Sequence, residues 1–244
     1  MTEHKAGIVS NLKKDQPALF GVHCFAHRLE LACRDVVKSH PSYQELDKFL
    51  LDLYLFYHNS NLNRANLKEA CLAAGSKVLL PTHVGGTRWL PHTLHALNNL
   101  WQIYPALVLH TSQVKQKGQS KEKLTCKSFV VFAHFVWDVV VQLAKLSLSL
   151  QSRTCSVADR LQATISVLKL DTEQPSPKLQ RVFGQNELCG VKLKENVRRL
   201  ADKRDDMAGV TDKLVKHLDT RFDVDDSIVA ATIIANLSSW PDTL

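Results

Sequence analysis

Between residues 129 and 150 the chain is apolar on nearly every face a helix could present. A helix with one apolar stripe lies on the surface of a core, whereas one that is apolar all round has to be surrounded. This segment therefore demands several partner helices, the strongest limit on what these 244 residues can fold into. Its most apolar part, residues 129–141, is interrupted by His134 and Asp138 and falls short of the ~18 residues that cross a bilayer. It reads as the buried central helix of a soluble protein, with no membrane partner.

The rest of the chain supplies candidate partners. Leu29, Ala32, Cys33, Val36 and Val37 recur at helical spacing up to a stop at His40-Pro41. Ser42 with Glu45 forms a capping-box pattern ahead of Leu46, Phe49, Leu50, Leu53, Phe56 and Tyr57. A helix over 62–74 ends at Gly75, a natural residue just past a C-cap. From Pro91 the stripe Leu94, Leu97, Leu100, Trp101, Tyr104 and Leu107 predicts one helix, and residues 154–169 predict another. Residues 5–15 read as a short amphipathic helix, 191–204 as a basic helix and 228–237 as an apolar one. Strand signals are few: the apolar run 18–22, and 77–84, which Pro81 confines to an edge or a broken strand. The fold class is mostly α with a minor β component.

Composition excludes whole classes. With 45% hydrophobic and 23% charged residues the chain is not disordered, and 9 Gly and 8 Pro exclude repetitive fibrous architectures. Six scattered cysteines without a C-x-x-C pair, behind a polar amino end, favour a reducing intracellular compartment. The charge of +7 is compatible with an anionic partner but too diluted to identify one. Nucleotide-loop, dinucleotide, nucleophile-elbow and zincin motifs are absent from the sequence.

Three constellations carry chemistry. Cys24-x-x-His27 offers two ligands of the zinc type, but Cys33 and His40 are badly spaced to complete a site, so no metal and no cofactor is assigned. The plainer reading is a helix start with a buried thiol and a hydrogen-bonded histidine. Arg88-Trp89, after a Gly-Gly turn, pairs a phosphate-binding guanidinium with an indole able to stack on a base; the plainer reading is a core Trp beside a surface Arg. Lys115, Lys117, Lys121 and Lys123 lie in a polar stretch, 112–123, that reads as a phosphate-touching loop or a solvated linker. Farther on, a block carrying +4 over 192–204 precedes one carrying −4 over 205–226, which suggests mutual pairing.

Taken in order, these motifs resemble the middle of a hAT-superfamily DNA transposase, of the kind domesticated as vertebrate zinc-finger and related genes. The matching elements are Ala6-Gly-Ile-Val, Leu12-Lys-Lys-Asp, His23-Cys-Phe-Ala-His-Arg-Leu-Glu-Leu-Ala, Phe56-Tyr-His-Asn-Ser, Thr87-Arg-Trp-Leu and Leu146-Ser-Leu-Ser-Leu-Gln. The resemblance implies a partial ribonuclease-H-like core over residues 1–90, with a strand near 18–22, followed by an all-helical insertion over 91–244. It implies that Cys24 and His27 lie beside the catalytic core and that Trp89, with Arg88, stabilises a flipped base. The family's two aspartates would fall upstream of Met1, and its glutamate is not found before Leu244. The expectation is therefore a catalytically inactive, nuclear, transposase-derived protein with residual nucleic-acid binding through Arg88, Trp89 and the lysines. DNA and related transposase-derived proteins are the implied partners. The alternatives are a helical protein-interaction module without nucleic-acid binding, in nucleus or cytoplasm, or a partial gene product.

Overall fold

A computed structural model describes residues 8–18, 24–86, 88–114, 118–151, 157–173, 175–195 and 197–222. Its axis is the apolar segment singled out above, which forms helix α8 (Lys127–Ser149). Helices α2 (Phe25–Ser39), α5 (Trp89–Gln102), α7 (Gly118–Thr125), α9 (Val157–Glu173), α10 (Pro177–Gly184) and α11 (Val197–Arg221) pack around it. Among the described residues it is the one helix long and apolar enough to cross a membrane, but 67% of its apolar window is buried by the other helices. That is how a core helix looks, so the segment's hydropathy is accounted for by packing. The chain is mostly helical, with one small sheet among the described residues.

The remaining helices build outward from this core. Helix α3 (Pro41–His58) packs on α2, and α4 (Asn61–Ala73) packs on α3 and on α6 (Tyr104–Gln113). Short α1 (Ile8–Asp15) leaves Ile8 and Leu12 exposed. Local chemistry sets the ends. At α4 the Ser60 hydroxyl accepts from Asn63 N at 3.2 Å, and the far end closes with Gly75 at φ 62°. There Gly75 N bonds to Leu72 O and Ser76 N to Cys71 O, so two otherwise orphaned carbonyls are satisfied.

Several sequence readings are corrected. Helix α3 begins at Pro41 rather than behind a Ser42 cap: proline's fixed φ suits the first helical position, so Ser42 lies inside the helix and bonds Asp206 and Lys203 instead. The stripe from Pro91 to Leu107 is two helices, because the chain breaks at Ile103 and restarts with Pro105 in the first turn of α6. Residues 77–84 form no strand. Ala18 sits in a turn, residues 19–22 of the expected strand lie outside the described residues, and so does the apolar stretch 228–237. A hairpin takes the first residues of the expected basic helix 191–204 and those just before it, and α11 carries the helix from Val197 onward. Here β1 (Glu187–Leu188) and β2 (Val191–Lys192) pair antiparallel through Cys189 and Gly190, both at positive φ, as a tight two-residue hairpin requires. The segment after β2 docks on the start of α8: Lys127 N bonds to Lys194 O at 3.0 Å, and the buried Lys127 ammonium donates to Asn186 Oδ1 at 2.8 Å.

Candidate functional site

The first turns of α2 place Cys24, His27 and Glu30 at three-residue intervals, hence along one side of the helix. Cys24 and His27 are exposed, so the buried-thiol reading does not hold. Glu30 is 8% exposed. Its carboxylate accepts the Leu90 N–H at 3.1 and 3.3 Å, and the neighbouring Trp89 backbone N–H adds to the attraction. Those groups are the unsatisfied, partially positive start of α5, where Arg88 occupies the cap without a side-chain hydrogen bond. Glu30 thus caps a helix sixty positions away. Burial pushes its pKa up, while the two backbone bonds and the nearby His27 and His92 oppose that rise.

Trp89 lies within the core. It is 4% exposed, its ring stands 5.8 Å from that of Tyr43, and its indole N–H favours the charged form of the nearby Asp47 carboxylate against the effect of burial. An exposed face for stacking on a base is missing, and the expectation of a solvent-facing indole is corrected. The physical reason is that helix α5 starts at Trp89, so the ring turns inward with Leu90 toward α2 and α3. Arg88, just outside the helix, stays exposed.

Cys24, His27, Glu30 and Arg88 share one groove of about 740 Å³. Its long walls are a face of α5 (Leu90, Leu94, Asn98) and the last turns of α8 (Ala144, Ser147, Leu148). Leu148 is 71% exposed there. Trp137 ties the two walls together by donating its Nε1–H to Asn98 Oδ1 at 2.8 Å. The groove therefore combines an uncovered apolar wall with one exposed guanidinium, since the Glu30 charge is engaged by backbone N–H groups.

The lysines are elsewhere. Lys121 and Lys123 belong to helix α7 rather than a linker, and Lys115 and Lys117 lie outside the described residues. Lys123 pairs with Glu45 at 3.1 Å, and its ammonium stands 5.6 Å from the Phe129 ring. It lines a second recess of about 510 Å³ with Ser128 and Asp206. Ser128 and Ser147 are nineteen residues apart on α8, about 28 Å along its axis, so Arg88 and Lys123 line recesses at opposite ends of that helix. Among the described residues no group of three His, Cys, Asp or Glu is disposed to hold a metal ion.

Sequence reasoning missed Glu30, Asp47 and Leu148. Glu30 lay within a quoted motif, but nothing local signals that a carboxylate will cap a helix sixty residues on. Leu148 follows the apolar pattern of α8 and becomes distinctive only where neighbours fail to cover it. No protein-family model matches the chain, and no solved structure matches it.

Proposed function

We propose that this chain is a non-catalytic helical interaction module whose α2–α5–α8 groove holds an acid-flanked, apolar helical segment. The observation that carries this reading is Leu148, 71% exposed in a groove where, among the described lining residues, the one uncompensated charge is Arg88. Two helix faces lying side by side with a gap suit a third helix, the helix-in-groove mode of recognition. Three of the less exposed carboxylates already have structural work: buried Glu30 caps α5, half-buried Asp47 lies by the Trp89 indole, and half-buried Asp138 accepts from Ser176 Oγ at 2.6 Å. Metal-dependent strand cleavage is accordingly not expected. Descent from a hAT transposase, a ribonuclease-H-like origin for residues 1–90, an insertion-like origin for 91–244 and a nuclear location belong to this proposal through motif order alone.

A second reading, nucleic-acid binding by charge, is favoured by the net +7 and by exposed Arg88 and Lys121. Parallel fluorescence titrations with a labelled acidic amphipathic peptide and with duplex and hairpin DNA, at two salt concentrations, separate the two. Peptide binding with little salt dependence supports the groove. Tight DNA binding that falls steeply with salt, with no peptide binding, overturns it in favour of phosphate contacts.

A further inference from the structure

We propose that His40 is an acid-operated latch: taking up a proton there releases the first turns of α11 from the α2–α3 joint and opens the recess that those turns wall. The latch lies at the opposite end of α8 from the groove and does not depend on it.

The joint is built to meet α11. His40 closes α2, its N–H bonding to Val36 O at 3.1 Å, and it opens α3, its carbonyl accepting from Tyr43 N at 3.1 Å and Gln44 N at 3.0 Å. Its buried ring stacks on Phe132 of α8, with centroids 6.4 Å apart and planes 15° from parallel. Helix α11 passes close by at Gly209, where an added Cβ would stand 3.6 Å from His40 Nε2. Asp206 Oδ1 faces the same nitrogen at 4.0 Å. Beside it, Ser42 donates to the Asp206 carboxylate and accepts from Lys203, whose ammonium stands 5.1 Å from the Phe132 ring centroid. Lys213 donates to Ser39 O at 3.2 Å.

This polar set is the main hold on the start of α11. Among the described residues, Met207 is the first fully buried apolar side chain of that helix, and Leu200 before it is half-buried. Asp202, Lys203 and Asp206 also wall the recess of about 510 Å³ that contains Cys126 and Ser128. Lifting residues 200–206 would therefore open it.

Charge gives the direction. From α11, Lys203, Asp206 and Lys213 face His40; from α2, α3 and α8 its neighbours are Ser39, Ser42 and Phe132, which do not titrate. Burial disfavours the imidazolium, Asp206 attracts it and the two lysines repel it, so that its pKa lies below 6.5. Protonation also makes both ring nitrogens donors, and the buried Nδ1 has no hydrogen-bond partner among the described residues. Once the first turns of α11 lift, the ring reaches water and its pKa returns toward 6.5. The open state then binds the proton more tightly, and the closed state loses ground as pH falls below 6.5. Asp206 does not share this window: burial raises its pKa, but Lys203, Ser42 and His40 together bring it below 3.8.

The test is hydrogen–deuterium exchange on the full chain at pH 7.5 and 5.5, corrected for the intrinsic rates, in wild type, His40→Phe, His40→Gln and His217→Gln. Phenylalanine keeps a ring on Phe132 and glutamine keeps a polar end toward Asp206, so either variant alone serves if the other fails to fold. Protection of residues 200–206 is expected to fall about three- to tenfold in wild type, the upper bound for one proton taken up at pKa 6.5. It should fall equally in His217→Gln, farther along α11, and stay level in the His40 variants. In wild type, alkylation of Cys126 relative to exposed Cys189 should rise with the same pH change. No fall in wild type, or the same fall in a folded His40 variant, overturns the latch. Protection of residues 200–206 equal to that of α8 means that the whole molecule opens together, and overturns it equally.

Discussion

Replacing Trp89 with Phe separates a structural pillar from a ligand-stacking residue. The phenyl ring keeps most of the contact with Tyr43, 5.8 Å away between centroids, but removes the indole N–H that favours the charged Asp47 carboxylate. Two losses follow. The smaller ring leaves about 40 Å³ unfilled, about 1 kcal/mol. The Asp47 carboxylate, whose Oδ1 already has no partner, loses its indole donor, costing about 1–3 kcal/mol. The expected destabilisation is therefore about 2–4 kcal/mol at pH 7, read from urea unfolding followed by far-ultraviolet circular dichroism.

The pH dependence has a definite sign. Burial raises the Asp47 pKa above 3.8 and the Trp89 bond holds it down, so Trp89→Phe raises it further. A carboxyl whose folded pKa lies above its unfolded value binds more protons in the native state, and stability falls as pH rises through that window. The deficit of the variant should therefore shrink between pH 7 and pH 4. Adding Asp47→Leu, which removes the stranded acceptor, should recover part of it at pH 7. A loss below about 0.5 kcal/mol at pH 7, together with weakened DNA binding, would refute the reasoning and return Trp89 to the ligand-facing role.

Two further outcomes are expected. His134 lies 3.7 Å from the Trp101 ring centroid, and burial pushes its pKa down from 6.5 to about 4. The unfolded state then binds the extra proton, so stability should fall by about 3 kcal/mol as pH drops through that interval, and His134→Phe should flatten this acid limb. Gly75→Ala should cost about 1–2 kcal/mol in chemical denaturation with an unchanged slope: φ is +62° and a new Cβ meets nothing within 4 Å, so the whole effect is backbone conformation.

Periodicity made the helices legible because most of them bury one regular stripe. The central position of α8 followed from its all-round apolarity, and the C-terminal closure of α4 from Gly75. The hairpin at Cys189-Gly190 was invisible because two-residue strands are too short to show alternation, and cysteine is an unusual residue at positive φ. The split at Ile103 hid behind a stripe whose phase continues through it. At the candidate site, Cys24, His27 and Arg88 were chosen for their chemistry, and they do share a groove. The orientation of Trp89 depended on where α5 begins, which local sequence does not determine. The uncovered wall at Leu148 is a property of three helices together.

The central claim is that the groove, and not the indole, is the contact surface. Titrating one labelled acidic amphipathic peptide against wild type, Leu148→Asp and Trp89→Phe under conditions where all three are folded tests it most directly. The account predicts at least tenfold weaker binding for Leu148→Asp and unchanged binding for Trp89→Phe, with the stability loss confined to the latter. Equal affinity for wild type and Leu148→Asp would contradict it.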